Sequence, residues 1–241
     1  MPKYLCGDLS ETRTLPRPST LDVDLGIVLA ADGDQYGSIF WDLSAQGFSP
    51  DQEHPSRFVS TVNGINVPID FLVERRPATT GTVQIGDLTA SIMPGVDRAL
   101  ALARNVSIAG VDLHGAQQNL IARVCEVGPF LALKFRAFHH RQQPKDAFDI
   151  LYTVRHYDGG TDAAIEAFAV EARAGNPACA DALNTLCQHF ITEEQPGPTK
   201  ASHFVLGPVL PSESPDAKYQ RATIRQDMVD VAARLLKAAT A

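Results

Sequence analysis

Residues 57–74 read RFVSTVNGINVPIDFLVE, two strand-like runs on either side of Asn63-Gly64. Both central residues of a two-residue hairpin turn must accept positive φ, and Asn-Gly does so at little cost. The stretch therefore predicts a β-hairpin with its arms over 57–63 and 65–74. Pro68 has no N–H to give a ladder, so its neighbourhood is expected at an edge or a bulge. Upstream, LDVDLGIVLA (21–30) is β-branched and apolar and predicts a buried strand. Asp32-Gly33 marks a turn. In DQYGSIFWDLSAQG (34–47), Tyr36, Ile39, Phe40 and Leu43 fall at helical spacing, and Gly47 is the expected stop.

Downstream of the hairpin, short β-like pieces are expected at 82–85, 88–92 and 105–113. A helix over 94–104, with Pro94 near its start, separates the last two. PFLALKFRAFHHRQ (129–142) predicts a helix that Pro144 cannot continue. Pro144 instead suits the first turn of the next helix, KDAFDILYTVRHY. Beyond Gly159-Gly160 the chain becomes Ala-rich and helical over 161–193, broken near Asn176-Pro177. EQPGPTK (194–200) and GPVLPSESPD (207–216) read as Pro-rich connectors, and 217–239 as a closing amphipathic helix. The expected architecture is mixed α/β (α+β). It comprises a core over 1–156, a mixed sheet flanked by helices, and a helical C-terminal region over 157–241.

The 241 residues are 44% hydrophobic, enough to build a packed core, and carry a formal net charge of −7. An acidic chain does not coat nucleic acid by bulk charge, although a local basic groove remains compatible with it. No stretch reaches the roughly 20 apolar residues that span a bilayer, and MPKYLCGDLSETRTLPRPS does not read as a signal peptide. Cys6, Cys125, Cys179 and Cys187 lie far apart with no CxxC spacing, which argues against a zinc knuckle or a disulfide framework. Free thiols in a reducing cytoplasm are the expectation.

Asp22 and Asp24 stand two apart on a predicted strand. Side chains alternate faces with period two, so both carboxylates are expected on one face, opposite Val23, Leu25, Ile27 and Leu29. Two neighbouring acids repel each other, and a hard divalent cation relieves that repulsion. Asp70 sits between Ile69 and Phe71, and an acid inside so apolar a run needs a partner or a metal. Three acids on neighbouring strands suit phosphoryl transfer, in which a metal aligns a triphosphate for in-line attack. The alternative is that Asp22 caps a strand, Asp24 faces water and Asp70 pairs with Arg75 or Arg76.

Lys134, Phe138 and Arg141 follow i, i+4, i+7 and share a helix face. Lys145 and Asp146 open the next helix, with Asp149 one turn on. A connector at Gln142–Pro144 that folds the second helix back would bring Lys134, Arg141 and Asp146 to one mouth, where cations meet triphosphate oxygens. The alternative is a solvated face, with Asp146 complementing the helix dipole. His139 and His140 are expected as a surface pair rather than as metal ligands.

In this order, RPSTLDVDLGI, the acid of VPIDFLV and KFRAFHHRQQPKDAFDI resemble the AbiEii/AbiGii-type toxin nucleotidyltransferases of bacterial toxin–antitoxin and phage-defence systems, within the polymerase-β-like superfamily. Arg17, Thr20, Asp22, Asp24, Asp70, Lys134, Ala137, Arg141, Lys145, Asp146 and Asp149 fill the family's pattern, over about residues 15–155. The resemblance implies a nucleotidyltransferase-like sheet and transfer of NMP from an NTP to a macromolecular acceptor, with tRNA or a protein as candidates. It implies Mg²⁺ or Mn²⁺ held by Asp22, Asp24 and Asp70, with Asp70 also available as base. Lys134 would meet the phosphates as a catalytic group, and Asp146 would support the site. Gly7, Thr20 and Arg141 would join Lys134 in holding the nucleotide. The C-terminal helices would take the acceptor or an antitoxin. The chain departs from the pattern at the Gly-Gly or Gly-Ser turn that precedes the Asp-x-Asp. Only Leu5-Cys6-Gly7-Asp8 stands at that distance, after a short N-terminus. A degenerate member that binds a nucleotide or a protein partner without transfer is the alternative expectation.

Overall fold

A computed structural model describes residues 4–6, 23–26, 37–62, 64–74, 80–111 and 115–241, the side chains of 23–25, 37 and 38 excepted. The fold is mixed α/β with a helical C-terminal region. It groups into two compact units: one holds the described residues from 23 to 124, the other holds 4–6 together with 125–241.

The first unit is built on the predicted hairpin. β1 is Val23–Gly26, α1 Gly37–Ala45, β2 Ser49–Pro50, β3 Arg57–Val62, β4 Ile65–Val73, β5 Thr82–Ile85, β6 Leu88–Ile92 and α2 Val96–Ala101. β3 and β4 pair antiparallel from Val62 opposite Ile65 to Arg57 opposite Asp70. Gly64 turns the corner with φ 78°. β1 runs parallel to β4, and its pairing begins at Ile69, one residue past Pro68. β6 pairs parallel with the end of β4, while β5 and β2 close the two edges. Ile69, Phe71 and Val73 alternate with Asp70 and Leu72 along β4, and the former are buried. They join Phe58, Ile85, Leu88, Ala90 and Ile92 in a core against which Ile39, Phe40 and Leu43 of α1 pack. Edge-to-face contacts link Phe40 to Phe58 and Phe58 to Phe71, with centroids 5.7 and 5.8 Å apart. Asp70 therefore belongs to the sheet face turned away from this core.

Glu74 follows β4 and is buried. Its Oε2 accepts the backbone N–H groups of Gly95 (2.9 Å) and Asp97 (3.1 Å), fixing the start of α2. β7 (Ala103–Val111) and β8 (Gln117–Cys125) form a separate two-stranded sheet. β8 carries no expectation from the sequence. Gln117 to Ile121 are exposed one after another, so no buried face marks it as a strand.

The second unit contains α3 (Val127–Arg141), α4 (Pro144–His156), α5 (Thr161–Arg173), α6 (Pro177–His189), α7 (Pro196–Leu206) and α8 (Pro215–Thr240). Its core centres on Leu131, Phe135, Phe138, Phe148, Ile150, Leu151, Phe168 and Phe190, all fully buried. Leu5 is buried in this same core, Cys6 bridges to Tyr157, and the Asp158 N–H donates to the Leu5 carbonyl. Burial pushes the Cys6 thiol up to about 12, so it carries no thiolate at neutral pH. All four cysteines are free thiols.

The expected boundary near residue 156 falls inside this unit, between α4 and α5. The reason is packing: Phe148, Ile150 and Leu151 of α4 are buried in one core with Phe168 of α5. The Gly159-Gly160 composition shift marks a connection rather than a unit edge. The expected connector over 194–200 is corrected to the first turns of α7. Pro196 occupies the first helical turn, where its missing N–H would have had no intrahelical partner. Asn176 caps α6 by accepting from the Ala178 N–H. Among the described residues no helix is long and apolar enough to cross a membrane.

Candidate functional site

The residues singled out from the sequence are divided between the two units. In the sheet unit, the parallel register of β1 on β4 sets the Asp24 backbone opposite Asp70. Asp22, Thr20 and Gly7 lie outside the described residues, as do Arg75 and Arg76, the partners considered for Asp70. The described partner of Asp70 is Arg57, directly across the hairpin. Arg57 Nε donates to Oδ1 and Nη2 to Oδ2, both at 2.8 Å, in a planar two-bond fork. Both side chains are partly exposed.

This fork is the observation against which a divalent cation is tested. An ionised carboxylate offers about four lone-pair sites, and the arginine takes two. The lone pairs left over on the two Asp70 oxygens are hard donors of the kind Mg²⁺ prefers. Asp70 thus keeps acceptor capacity on the sheet face turned away from the core. Among the described residues no group of three or more His, Cys, Asp or Glu side chains is arranged to hold a metal. Asp22 and the side chain of Asp24 fall outside that statement.

In the helical unit, Gln142 adopts φ 46°, the left-handed conformation that ends α3 and turns the chain into α4. It is the one non-glycine residue with positive φ among those described. The turn brings Lys134 and Arg141 of α3 onto Asp146 and Asp149 of α4. Arg141 forks onto Asp146, Nε to Oδ2 at 2.6 Å and Nη2 to Oδ1 at 2.7 Å. Lys134 Nζ lies 3.3 Å from Asp146 Oδ1 and 3.0 Å from Asp149 Oδ2. Lys145 Nζ meets the same Asp149 oxygen at 2.8 Å. Phe138, between Lys134 and Arg141 in sequence, turns into the core.

Both carboxylates are buried. Burial alone would raise the Asp146 pKa. The Arg141 hydrogen bonds and the Lys134 charge outweigh it and hold the group below the ordinary carboxylate range. Asp149 Oδ1 is buried with no hydrogen-bond partner, and so is Thr153 Oγ1 one turn further along α4. An unmet buried acceptor costs about 1–3 kcal/mol, and natural proteins keep few of them.

The sequence reading of Lys134, Arg141 and Asp146 thus corresponds to a real meeting of side chains. It missed Arg57, and it gave Lys145 and Asp149 no part beyond their place in the motif. His139 Nδ1 lies 3.1 Å from Thr185 Oγ1, and His140 is exposed on the Asp181 side of α3. No protein-family model, curated protein or solved structure matches this chain.

Proposed function

We propose that this chain is a metal-dependent nucleotidyltransferase that moves NMP from an NTP to a macromolecular acceptor, tRNA or a protein, in the cytoplasm. The toxin role, with an antitoxin as partner, belongs to the same proposal. One observation carries it: two acids on neighbouring parallel strands stand at one register position, Asp24 opposite Asp70. Placing like charges side by side is unfavourable unless something positive lies between them.

Mg²⁺ or Mn²⁺ bound by Asp22, Asp24 and Asp70 would neutralise the triphosphate and align it for displacement. Asp70 would accept the proton of the attacking hydroxyl, as ligand or as base. Arg57 would fix the plane of its carboxylate. In the helical unit, Arg141 and Lys134 are the cations suited to phosphate oxygens. Asp146 orders both of them.

A second reading has its own observation. Arg57 satisfies Asp70 without a metal, as in a protein that keeps the fold and binds nucleotide or a protein partner without transferring anything. Nucleotide-induced stabilisation with and without Mg²⁺, followed by transfer of labelled nucleotide to total RNA and to protein, separates the two. Transfer by wild type that disappears in Asp24→Ala supports the enzyme. Metal-independent stabilisation with no transfer supports the binding protein. Absence of both removes the nucleotide from the account.

A further inference from the structure

α7 carries no acid: PGPTKASHFVL presents Lys200 and His203 one turn apart, with nothing on the helix to neutralise them. Buried Ala201 of α7 shares a core with Ile224 and Met228 of α8, so packing fixes the seam between the two helices. Arg221 and Arg225, one turn apart on α8, reach across it. Arg221 Nη1 donates to the Gly207 carbonyl at 3.1 Å and Arg225 Nε to Ser202 Oγ at 3.3 Å, which sets the helices antiparallel. Four basic side chains therefore gather along one seam of a chain whose net charge is −7.

Three cations stand against one carboxylate there. Burial first, and then the charges of Arg221, Arg225 and Lys200, hold the His203 imidazole below the ordinary histidine range, and only Glu213 pulls the other way. His203 Nε2 is buried with no hydrogen-bond partner. Glu213 is itself taken by the buried Arg221, which donates to it from Nε and Nη2. Among the described residues no carboxylate makes a hydrogen bond or ion pair with Lys200 or Arg225. Arg225 uses one of its five N–H groups, on Ser202, and Lys200 uses none. Both are partly exposed, so an arriving anion can reach them. Like charges gathered in a half-sheltered seam repel one another, and an anion relieves that repulsion. A guanidinium and an ammonium on opposite lips of a seam suit the phosphates of a strand laid along it.

We propose that the α7–α8 seam holds the phosphate backbone of a single-stranded RNA end, with Lys200 and Arg225 as the contacting groups. The choice of RNA rests on the nucleotidyltransferase reading, in which such an end receives the NMP; the demand for an anion rests on the seam alone. An anion there offsets the charges that depress His203, so by reciprocity the imidazole takes up its proton at a higher pH in the complex. The acidic net charge does not oppose this, because the seam is a local surplus.

The test is fluorescence anisotropy of a labelled single-stranded RNA of mixed sequence with the full chain in EDTA, over a series of salt concentrations, with a thermal melt of each variant. Wild type is expected to bind, more weakly as salt rises. Each phosphate neutralised on a single strand contributes about 0.7 to the slope of log affinity against log salt. Lys200→Gln and Arg225→Gln are each expected to lower the slope by about that amount, to bind about fivefold more weakly at about 0.1 M salt, and to melt as wild type does. Arg225→Lys keeps the charge and is expected to keep the slope, so an Arg225→Gln chain that does not fold leaves the test intact. Lys237→Gln removes the same charge from an exposed position about 18 Å further along α8 and is expected to bind as wild type does. Proton NMR is expected to show one imidazole, missing from His203→Gln, that titrates at higher pH with RNA bound. The proposal is overturned by failure of wild type to bind, by slopes unchanged in both Gln variants, by an equal loss in Lys237→Gln, or by a His203 titration that RNA does not move. Polyglutamate that displaces the RNA at equal charge overturns it as well and assigns the seam to an acidic protein. RNA binding that follows these expectations in a chain that transfers no nucleotide keeps the seam and removes the enzyme. Transfer to RNA that survives both Gln variants with unaltered affinity does the reverse.

Discussion

Arg57 holds Asp70 by both carboxylate oxygens, Nε on Oδ1 and Nη2 on Oδ2, each at 2.8 Å across the hairpin. The two sit at one register position of the antiparallel pair, so each positions the other with no help from a loop. Because both are partly exposed, the pair contributes about 0.2–1 kcal/mol to folding, in the range of cross-strand ion pairs. Arg57→Gln is expected to fold with a melting temperature close to that of wild type. If Asp70 binds a metal, losing the guanidinium removes a competitor for its oxygens. The Mg²⁺ concentration giving half-maximal nucleotide-dependent stabilisation then falls. An unchanged Mg²⁺ midpoint in a folded Arg57→Gln chain would argue that Asp70 is no ligand.

The pH profile of stability should fall in two stages. His140, His156, His189 and His203 are all held below the ordinary histidine value of 6.5, by burial first and by neighbouring positive charges second. The folded state therefore resists protonation that the unfolded chain accepts. Stability is whole above 6.5 and declines as pH drops from there through the lower folded values. Asp146 acts in the same sense at lower pH. Its folded value lies below the ordinary 3.8, so its contribution is intact above that and is lost as the pH falls further. Urea denaturation at a series of pH values reads both stages. His189→Gln should make the first stage shallower and leave the second.

Close helix packing leaves no room at Gly128. A Cβ there would lie 2.5 Å from the Ala167 carbonyl oxygen, a backbone atom of α5 that cannot turn aside. At Gly197 it would lie 2.3 Å from the fully buried ring of Phe190. Gly128→Ala and Gly197→Ala are each expected to cost about 1–3 kcal/mol. Gly110 in β7 has nothing within 4 Å of the same position, so Gly110→Ala is the neutral control. Equal stabilities for all three variants, measured by denaturant unfolding, would contradict this packing.

Glu74→Ala leaves the Gly95 and Asp97 N–H groups without their acceptor and is expected to cost about 1–3 kcal/mol. Glu74→Gln keeps a side-chain carbonyl and recovers much of the loss. Hydrogen exchange at the two amides should accelerate in the Ala variant before the rest of the sheet unit responds. Protection equal to that of wild type would refute the capping role.

What the sequence disclosed depended on how local the physics was. The hairpin is legible because Asn63-Gly64 fixes a turn chemically. Once Val62 faces Ile65, counting outward sets Arg57 opposite Asp70. That partner was within reach of simple arithmetic and was missed because Arg75 and Arg76 lie nearer in sequence. The meeting of Lys134, Arg141 and Asp146 is legible because i, i+7 spacing and a proline-marked helix start together define a fold-back. The sheltered position of Lys134 against Asp146 and Asp149 is not, because exposure depends on how α3 and α4 pack. α7 stayed hidden because proline reads as a breaker unless its place in the first turn is known. β8 stayed hidden because both its faces are wet along most of its length. The two-unit grouping has no local signature at all, since it arises from Leu5 sharing a core with helices that begin at residue 127.

That last feature has a consequence for synthesis on the ribosome. Leu5 is translated before Tyr157 and Asp158, which grip its neighbourhood from some 150 positions further along. The intervening sheet can assemble from pieces close together in the chain, whereas Leu5 must wait for a core that is made much later. Nascent chains arrested before α4 should leave Leu5 open to a protease or a chaperone, and those arrested beyond α8 should sequester it.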